Sequence, residues 1–301
     1  MLAKPPLSLY VHVPWCIRKC PYCDFNSHES NSPIPEQEYI EALSEDLAHE
    51  FSRIKQDQRE LHSIFIGGGT PSIFSGDSYK TLLNRISDQI NFSSQIEITL
   101  EANPGTVEAE KFSAYYEAGI NRLSLGIQSF DDGSLEKLGR IHNSEEALRA
   151  IAIAKAAGFE NLNLDLMHGL PGQESAQALN DLQIAISSKP THISWYQLTI
   201  EPNTVFYRYP PQLPHEAILD EIQLDGQKLL DKAGYQHYEV SAFTKPEHAS
   251  LHNKNYWSFG DYLGIGAGAH GKLTLADENR LIRTRKQKQP KHYLDNQTTR
   301  D

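Results

Sequence analysis

Short apolar runs alternate along the chain with longer segments of helical pattern. The apolar, β-rich runs predict buried strands, and the amphipathic segments between them predict helices. The strands are expected at Leu7 to Val13, Ser63 to Ile66, Ile96 to Glu101, Arg122 to Gly126, Leu162 to Leu166 and His192 to Leu198. The helices are expected at Glu36 to Lys55, Ser78 to Ile90, Glu108 to Ala118, Ser144 to Ala157 and Ser175 to Ser187. This alternation indicates an α/β fold with a parallel sheet.

Six such units are too few to close an eight-stranded barrel, so the pattern predicts an open partial barrel. After the sixth strand we expect a helix near Glu216 to Lys232 and an extended run from Tyr235 to Phe243. We therefore divide the chain into a core domain at residues 1–240 and a C-terminal extension at residues 241–301. Functional groups are expected at the carboxyl ends of the parallel strands, where they lie in α/β barrels generally.

Composition sets broad limits on function. The chain has 301 residues, of which 39% are apolar, which is enough for a sizeable core. A formal charge of −11 argues against nucleic acid as the main partner, because phosphate binding needs a basic surface. No apolar run has the length of a transmembrane segment, and the N-terminal residues lack the apolar core of a signal peptide. We expect a reduced, cytoplasmic location.

All three cysteines of the chain, Cys16, Cys20 and Cys23, lie in one short loop after the first predicted strand. Three thiolates at this spacing suit three irons of a [4Fe-4S] cluster, and the lack of a fourth cysteine leaves one iron open to another ligand. An odd number of cysteines in one place argues against a disulfide framework. A zinc site would need a fourth ligand, which His12 or His28 could supply. The strand-then-loop context favours the cluster.

The segment Y-V-H-V-P-W-C-I-R-K-C-P-Y-C-D-F-N-S resembles the CxxxCxxC region of the radical S-adenosylmethionine (SAM) superfamily. It is similar to the branch that contains oxygen-independent coproporphyrinogen III oxidase and the HemW family of heme chaperones. The oxidase carries another cysteine two residues after the third, whereas this chain has Phe25, and the D-F-N-S continuation resembles the chaperones. The resemblance implies a (β/α)6 partial barrel in which SAM occupies the open iron.

Several residues at the predicted strand ends become candidates for binding SAM. Taken alone, a triple glycine is most often a turn, and polar strand-end residues most often reach solvent. The resemblance implies instead a SAM site formed by Tyr10, Tyr22, Gly68, Gly69, Thr70, Glu101, Gln128, Arg140 and Asp165. It places Tyr22 near the adenine, and the planar fork of Arg140 suits the SAM carboxylate because it can donate two hydrogen bonds.

The H-N-K-N-Y-W segment carries the candidate heme residues, His252, Tyr256 and Trp257. A neutral imidazole can ligate iron and flat rings can stack on a porphyrin, so His252 is the leading candidate ligand, with His270 or a tyrosine oxygen as the alternative. The residues alone favour a capped turn packed on the barrel, but the string resembles a motif of the chaperone family, which favours heme. Family members usually continue into a small helical C-terminal domain. This chain ends soon after a basic stretch from Arg283 to Lys291, so we expect it to be incomplete relative to the family.

Two functions of different kinds therefore remain. The first is a chaperone that binds heme and a SAM-ligated cluster and transfers heme to respiratory acceptor proteins, including membrane-associated ones. The second is a radical SAM enzyme that oxidises the propionates of coproporphyrinogen III. Phe25 and the H-N-K-N-Y-W segment favour a chaperone without oxidase activity.

Overall fold

The computed structural model describes residues 2–30, 32–54, 57–106 and 109–295. Within these ranges the strands are β1 (Leu7–Val13), β2 (Trp15–Cys16), β3 (His28–Glu29), β4 (Leu61–Gly68), β5 (Phe92–Ala102), β6 (Arg122–Gln128), β7 (Asn161–His168), β8 (His192–Gln197), β9 (Gln236–Glu239), β10 (Ala242–Thr244), β11 (Asp261–Ile265), β12 (His270–Leu275) and β13 (Arg280–Arg285). The helices of the same residues are α1 (Glu36–Ser52), α2 (Gly76–Ser87), α3 (Ala109–Glu117), α4 (Asp132–Lys137), α5 (Ser144–Ala156), α6 (Ser175–Ser187), α7 (Val205–Arg208), α8 (Glu216–Lys232), α9 (Leu251–Trp257) and α10 (Pro290–Asp295). Short 3-10 helices lie at Pro71–Ile73, Pro104–Thr106 and Ala276–Glu278. The predicted helix bounds Lys55 and Glu108 lie outside the described residues.

Eleven of these strands form one sheet in the order β13-β12-β11-β1-β4-β5-β6-β7-β8-β10-β9. The six predicted strands correspond to β1 and β4 through β8, and each pairs in parallel with the next. The five predicted helices between these strands correspond to α1, α2, α3, α5 and α6, whereas α4, which also lies between β6 and β7, was not predicted. The bounds of α6 and α8 agree with the prediction at both ends. The predicted α/β class and open parallel arrangement are confirmed.

The sequence patterns missed β11, β12 and β13, which extend this sheet at one edge. β11 pairs in parallel with β1 and adds a seventh parallel strand, and β12 and β13 continue the edge in antiparallel fashion. At the other edge, the predicted run from Tyr235 to Phe243 is two antiparallel strands, β9 and β10, with a shift of register after Ala242. The division of the chain at residue 240 stays a prediction. Strands β10 and β11, which follow that point, pair directly with β8 and β1 of the predicted core.

The two faces of the sheet differ in chemistry. On β1, Leu7, Leu9 and Val11 are fully buried in a core that also contains residues of α1 and α2. The alternate residues face the inside of the partial barrel, where the hydroxyl groups of Ser8 and Ser63 are hydrogen-bonded at 2.8 Å. The concave side is therefore polar, and ligand-binding groups can be placed there without disturbing the apolar core.

Helix α9 closes the barrel interior at the amino ends of the strands. Ser250 caps this helix by accepting a hydrogen bond from the N–H of Asn253 at 3.3 Å. The carboxylate of Glu97 on β5 accepts a second bond from the N–H of Leu251 at 2.9 Å. Asn255 donates to the carbonyl of Asp261 at 2.8 Å, which joins α9 to β11. The H-N-K-N-Y-W segment is therefore a capped helix that forms the floor of the barrel.

Candidate functional site

A cavity of about 270 Å³ opens at the carboxyl ends of the parallel strands. The structure brings together around it the three cysteines and all but one of the predicted SAM residues: Cys16, Cys20, Tyr22, Cys23, Gly68, Gly69, Thr70, Glu101, Gln128, Arg140 and Asp165. Their chain positions span about 150 residues, but they come from the carboxyl-end halves of neighbouring parallel strands or from the segments that follow those strands. This is the edge at which α/β folds place ligand-binding groups.

The cysteine loop supplies three thiol groups to the cavity. Cys16 is buried on β2, and a turn joins the other two cysteines, since the N–H of Cys23 donates to the carbonyl of Cys20 at 3.1 Å. All three thiols are free. Among the described residues, no three His, Cys, Asp or Glu side chains approach closely enough to hold one ion. Three thiols beside one cavity are the donor set that can ligate three irons of a [4Fe-4S] cluster.

Arg140 joins the cysteine loop to the strand ends. Its Nη1 lies 3.5 Å from the thiol sulfur of Cys20, and its Nη2 donates to Oδ1 of Asn103 at 2.5 Å and to the carbonyl of Gly126 at 2.9 Å. Its buried Nε has no hydrogen-bond partner among the residues described. The guanidinium group therefore faces the cavity beside a thiol, where its charge favours an anionic neighbour such as a thiolate or a ligand carboxylate.

Glu101 and Asp165 contribute two enclosed carboxyl groups to the lining of the cavity. Oε2 of Glu101 accepts a hydrogen bond from the N–H of Gly68 at 3.1 Å. Asp165 accepts from the hydroxyl of Ser124 at 2.9 Å and from the amide of Asn163 at 2.8 Å. Burial, and to a lesser extent the neighbouring Asp165, raises the pKa of Glu101 to about 8. A cationic group or sugar hydroxyls in the cavity would satisfy both carboxyl groups.

The backbone around the cavity is tightly packed at two points. A Cβ atom added to Gly69 would lie 2.4 Å from the carbonyl oxygen of Trp15. Glycine at this position therefore allows the segment after β4 to touch the start of the cysteine loop. Gln128 has φ of 68°, an unusual value for a residue with a side chain, and its Oε1 accepts a hydrogen bond from the hydroxyl of Tyr196 at 2.8 Å. Such strain is typical of functional sites.

The remaining predicted residues lie deeper in the barrel or on its outer surface. Tyr10 is not among the described residues that line the cavity. Its hydroxyl is hydrogen-bonded to Nδ1 of His12 at 2.8 Å, and its ring lies 6.2 Å from that of His252. His252 is 3% exposed and stacks on Phe65 at 4.9 Å, and burial lowers its pKa to about 3. Trp257, in contrast, is 63% exposed. The three candidate heme residues thus lie at the floor of the barrel and apart from the cavity.

Sequence reasoning missed several residues that line the cavity, among them Asn103, Ser124 and Tyr196. Asn103 follows Glu101 at the same strand end, so its position after a predicted strand was an available signal. Ser124 and Tyr196 lie inside β6 and β8 and resemble ordinary strand residues. Only the alternation of side chains along each strand could have assigned them to the concave face.

The fold and the three-cysteine loop at the strand ends define a class of protein. The sequence profile of the radical SAM superfamily matches residues 10–183 of the chain. The chain therefore belongs to the radical SAM superfamily.

Within this superfamily the chain is similar to proteins named heme chaperone HemW. It is 59% identical over 292 residues to HemW of Haemophilus influenzae, covering 96% of this chain and 76% of that protein. It is 51% identical over 294 residues to HemW of Escherichia coli, covering 98% and 77%. The solved structure of coproporphyrinogen III oxidase from Escherichia coli, described as a radical SAM enzyme, superposes with a TM-score of 0.82. That match has 23% sequence identity and covers 97% of this chain and 69% of the oxidase, so it shows the shared fold.

In the described part of the chain, no helix is long and apolar enough to cross a membrane.

Proposed function

We propose that this protein is a heme chaperone that carries a SAM-ligated [4Fe-4S] cluster and transfers heme to acceptor proteins. The observation that carries this proposal is the similarity to HemW chaperones over nearly the whole chain, at 59% identity in one case. Phe25, at the position where the oxidase has an additional cysteine, adds support from the cysteine loop itself. A cytoplasmic location and respiratory acceptors, including membrane-associated ones, are part of the same proposal.

In this proposal Cys16, Cys20 and Cys23 ligate the cluster at the mouth of the cavity. When bound, the cluster supplies an electron-transfer centre and one iron with an open coordination position. The residues that would hold SAM in the cavity are Tyr22, Gly68, Gly69, Thr70, Glu101, Gln128, Arg140 and Asp165. Tyr10 stays in the proposed SAM set although it lies outside the cavity lining, and burial, followed by the nearby Glu101 carboxyl group, raises the pKa of its hydroxyl.

The division of labour between Arg140 and the acidic pair follows from charge. The guanidinium of Arg140 suits the carboxylate of SAM, and its Nη1 lies 3.5 Å from Cys20, on the cluster side. Glu101 and Asp165 suit the cationic and hydroxyl groups of the ligand. A zwitterionic ligand in the cavity would therefore meet a guanidinium group and two carboxyl groups, and its cationic group would favour the ionised form of those carboxyl groups.

For heme we retain His252, Tyr256 and Trp257 as the proposed residues. The exposed indole of Trp257 and the partly exposed ring of Tyr256 offer flat apolar surfaces at the floor of the barrel. His252 is neutral because its pKa is lowered to about 3, and its buried Nε2 has no hydrogen-bond partner among the described residues. Ligation of heme iron by this nitrogen requires α9 to move away from Phe65.

The alternative function is oxidation of coproporphyrinogen III. It comes from the resemblance of the cysteine segment to the branch that contains the oxidase, and the solved oxidase structure superposes on this chain with a TM-score of 0.82. That likeness extends to the fold alone, and the cavity described above would be needed for SAM in either function.

One experiment on a single sample separates the two functions. The protein is reconstituted anaerobically with iron and sulfide, titrated with heme, and then incubated with SAM, a reductant and coproporphyrinogen III. The chaperone proposal expects a saturable Soret band and no decarboxylated porphyrin. Decarboxylated product formed with consumption of SAM would support the oxidase, and a cluster-loaded protein that binds no heme would contradict the chaperone proposal.

A further inference from the structure

We propose that Asn26 is a positioning residue that holds the cysteine loop from the C-terminal part of the chain. The inference rests on the proposed cluster site and adds a supporting residue to it. Asn26 follows Cys23 closely in the chain, and its side-chain Nδ2 donates to the carbonyls of Ala267 and Lys288, each at 2.9 Å. One amide group thus ties the loop to two distant segments, the turn between β11 and β12 and the segment after β13.

The surface that receives Asn26 is firmly anchored to α1. The N–H of Ala267 donates to the hydroxyl of Tyr39 at 2.8 Å, and the N–H of Gly266 donates to Oδ2 of Asp46 at 3.1 Å. The ammonium group of Lys286, two residues before Lys288, forms a buried ion pair with Asp46 at 2.8 Å. Because these partners are buried and mutually bonded, the two carbonyls form a rigid acceptor pair.

The contact between Asn26 and the β11 to β12 turn leaves no room for another side chain. Gly268 has φ of +86°, and a Cβ atom added to it would lie 2.3 Å from Nδ2 of Asn26. Glycine at this position therefore serves the contact itself, since it lets the amide reach the carbonyl of Ala267.

On the loop side, Asn26 fixes the end that carries Cys23. Its own carbonyl is hydrogen-bonded to Nε2 of His12 at 2.9 Å. The next residue, Ser27, has its hydroxyl 3.5 Å from the sulfur of Cys23 and its carbonyl bonded to Nζ of Lys19 at 3.0 Å. Loss of the two side-chain bonds should therefore change the position of Cys23 relative to the other two thiols. Hydrogen bonds of this kind determine how precisely the side chains that ligate a metal centre are held.

The test uses two changes that break the same contact from opposite sides. Asn26→Asp keeps the side-chain shape but replaces the donor by a carboxylate that faces two carbonyl oxygens. Gly268→Ala pushes against Nδ2 from the turn. The matched controls are Asn84→Asp, on the exposed face of α2, and Gly119→Ala, whose φ of +102° is similarly strained but whose added Cβ would meet nothing within 4 Å.

After anaerobic reconstitution, we measure the rate at which an iron chelator removes the cluster and the electron paramagnetic resonance spectrum of the reduced cluster. Both contact variants should lose the cluster about tenfold faster than wild type and show shifted g values, whereas the controls should not. If Asn26→Asp loses the cluster at the wild-type rate and shows wild-type g values, the proposed role of Asn26 is wrong, and the proposed function is unaffected. If circular dichroism shows that Asn26→Asp does not fold, the test is the difference in cluster loss and g values between Gly268→Ala and its control Gly119→Ala. A wild-type protein that takes up no cluster would overturn the proposed function and this inference with it.

Discussion

The change Glu101→Gln should make the cluster-free protein more stable than wild type at alkaline pH. In the reconstituted protein the same change should weaken the binding of SAM. Glu101 lies in the cavity wall, where burial and Asp165 raise its pKa from 4.5 to about 8. The unfolded chain releases this proton near pH 4.5, whereas the folded protein keeps it to about pH 8. Between these values the folded state holds the extra proton, so the wild type loses stability as pH rises.

The slope of that loss is about 1.4 kcal/mol per pH unit for a fully displaced group. Glu101 borders a cavity that water can enter, so we take about half of this slope. From pH 6 to pH 8 the stability advantage of Glu101→Gln over wild type should then grow by about 1 to 2 kcal/mol. For a chain of 301 residues such a change corresponds to a melting-temperature difference that grows by about 2 to 3 °C. A glutamine can still accept the hydrogen bond from Gly68, so the difference arises from charge.

The assay is thermal unfolding of cluster-free wild type and variant at several pH values from 6 to 9, followed by calorimetric SAM binding to the reconstituted proteins. Glu145→Gln is the control, because the Glu145 side chain is 81% exposed and should give no pH-dependent difference. The reasoning is refuted if the melting difference between Glu101→Gln and wild type is the same at pH 6 and pH 8.5. Undiminished SAM affinity in the variant would remove Glu101 from the proposed SAM site.

Three further predictions follow from the proposed sites. Replacing Cys16, Cys20 or Cys23 singly by Ser should strip most iron and sulfide, and a variant that keeps about four irons with an unchanged visible spectrum would exclude that residue as a ligand. Arg140→Ala should weaken SAM binding by about 1.5 to 3 kcal/mol, the scale of a charged hydrogen bond, and equal affinity under anaerobic calorimetry would argue against the proposed pose. His252→Ala should abolish or shift the Soret band in a heme titration while circular dichroism shows a retained fold, and unaltered heme binding would exclude His252 as the iron ligand.

The sequence predicted the part of the fold that depends on local pattern. β1 has its predicted bounds because its apolar residues alternate with Ser8, Tyr10 and His12 in a short run, which is a local signal. β11 could not be placed, because its pairing with β1 joins residues about 250 positions apart and is set by long-range packing. The run from Tyr235 to Phe243 was predicted as extended, but its division into β9 and β10 was not predicted, because that division depends on an irregular register.

The candidate site shows the same division. The three cysteines and the glycines after the second strand were visible as motifs, and the structure places them at one cavity. The position of α9 was not visible, because its first turn is bonded to Glu97, which lies far away in the chain. Residue type alone therefore could not show that His252 is buried at the barrel floor while Trp257 is exposed.

The most direct test of the chaperone proposal is whether the protein hands heme to an acceptor instead of merely releasing it. Cluster-loaded, heme-loaded protein is mixed with heme-depleted respiratory membranes, and in parallel with excess apomyoglobin, which scavenges dissociated heme. The proposal expects transfer to the membranes to be faster than capture by apomyoglobin and to slow when Cys20→Ser removes the cluster. Transfer to the membranes at the rate of spontaneous dissociation, unchanged in Cys20→Ser, would contradict it.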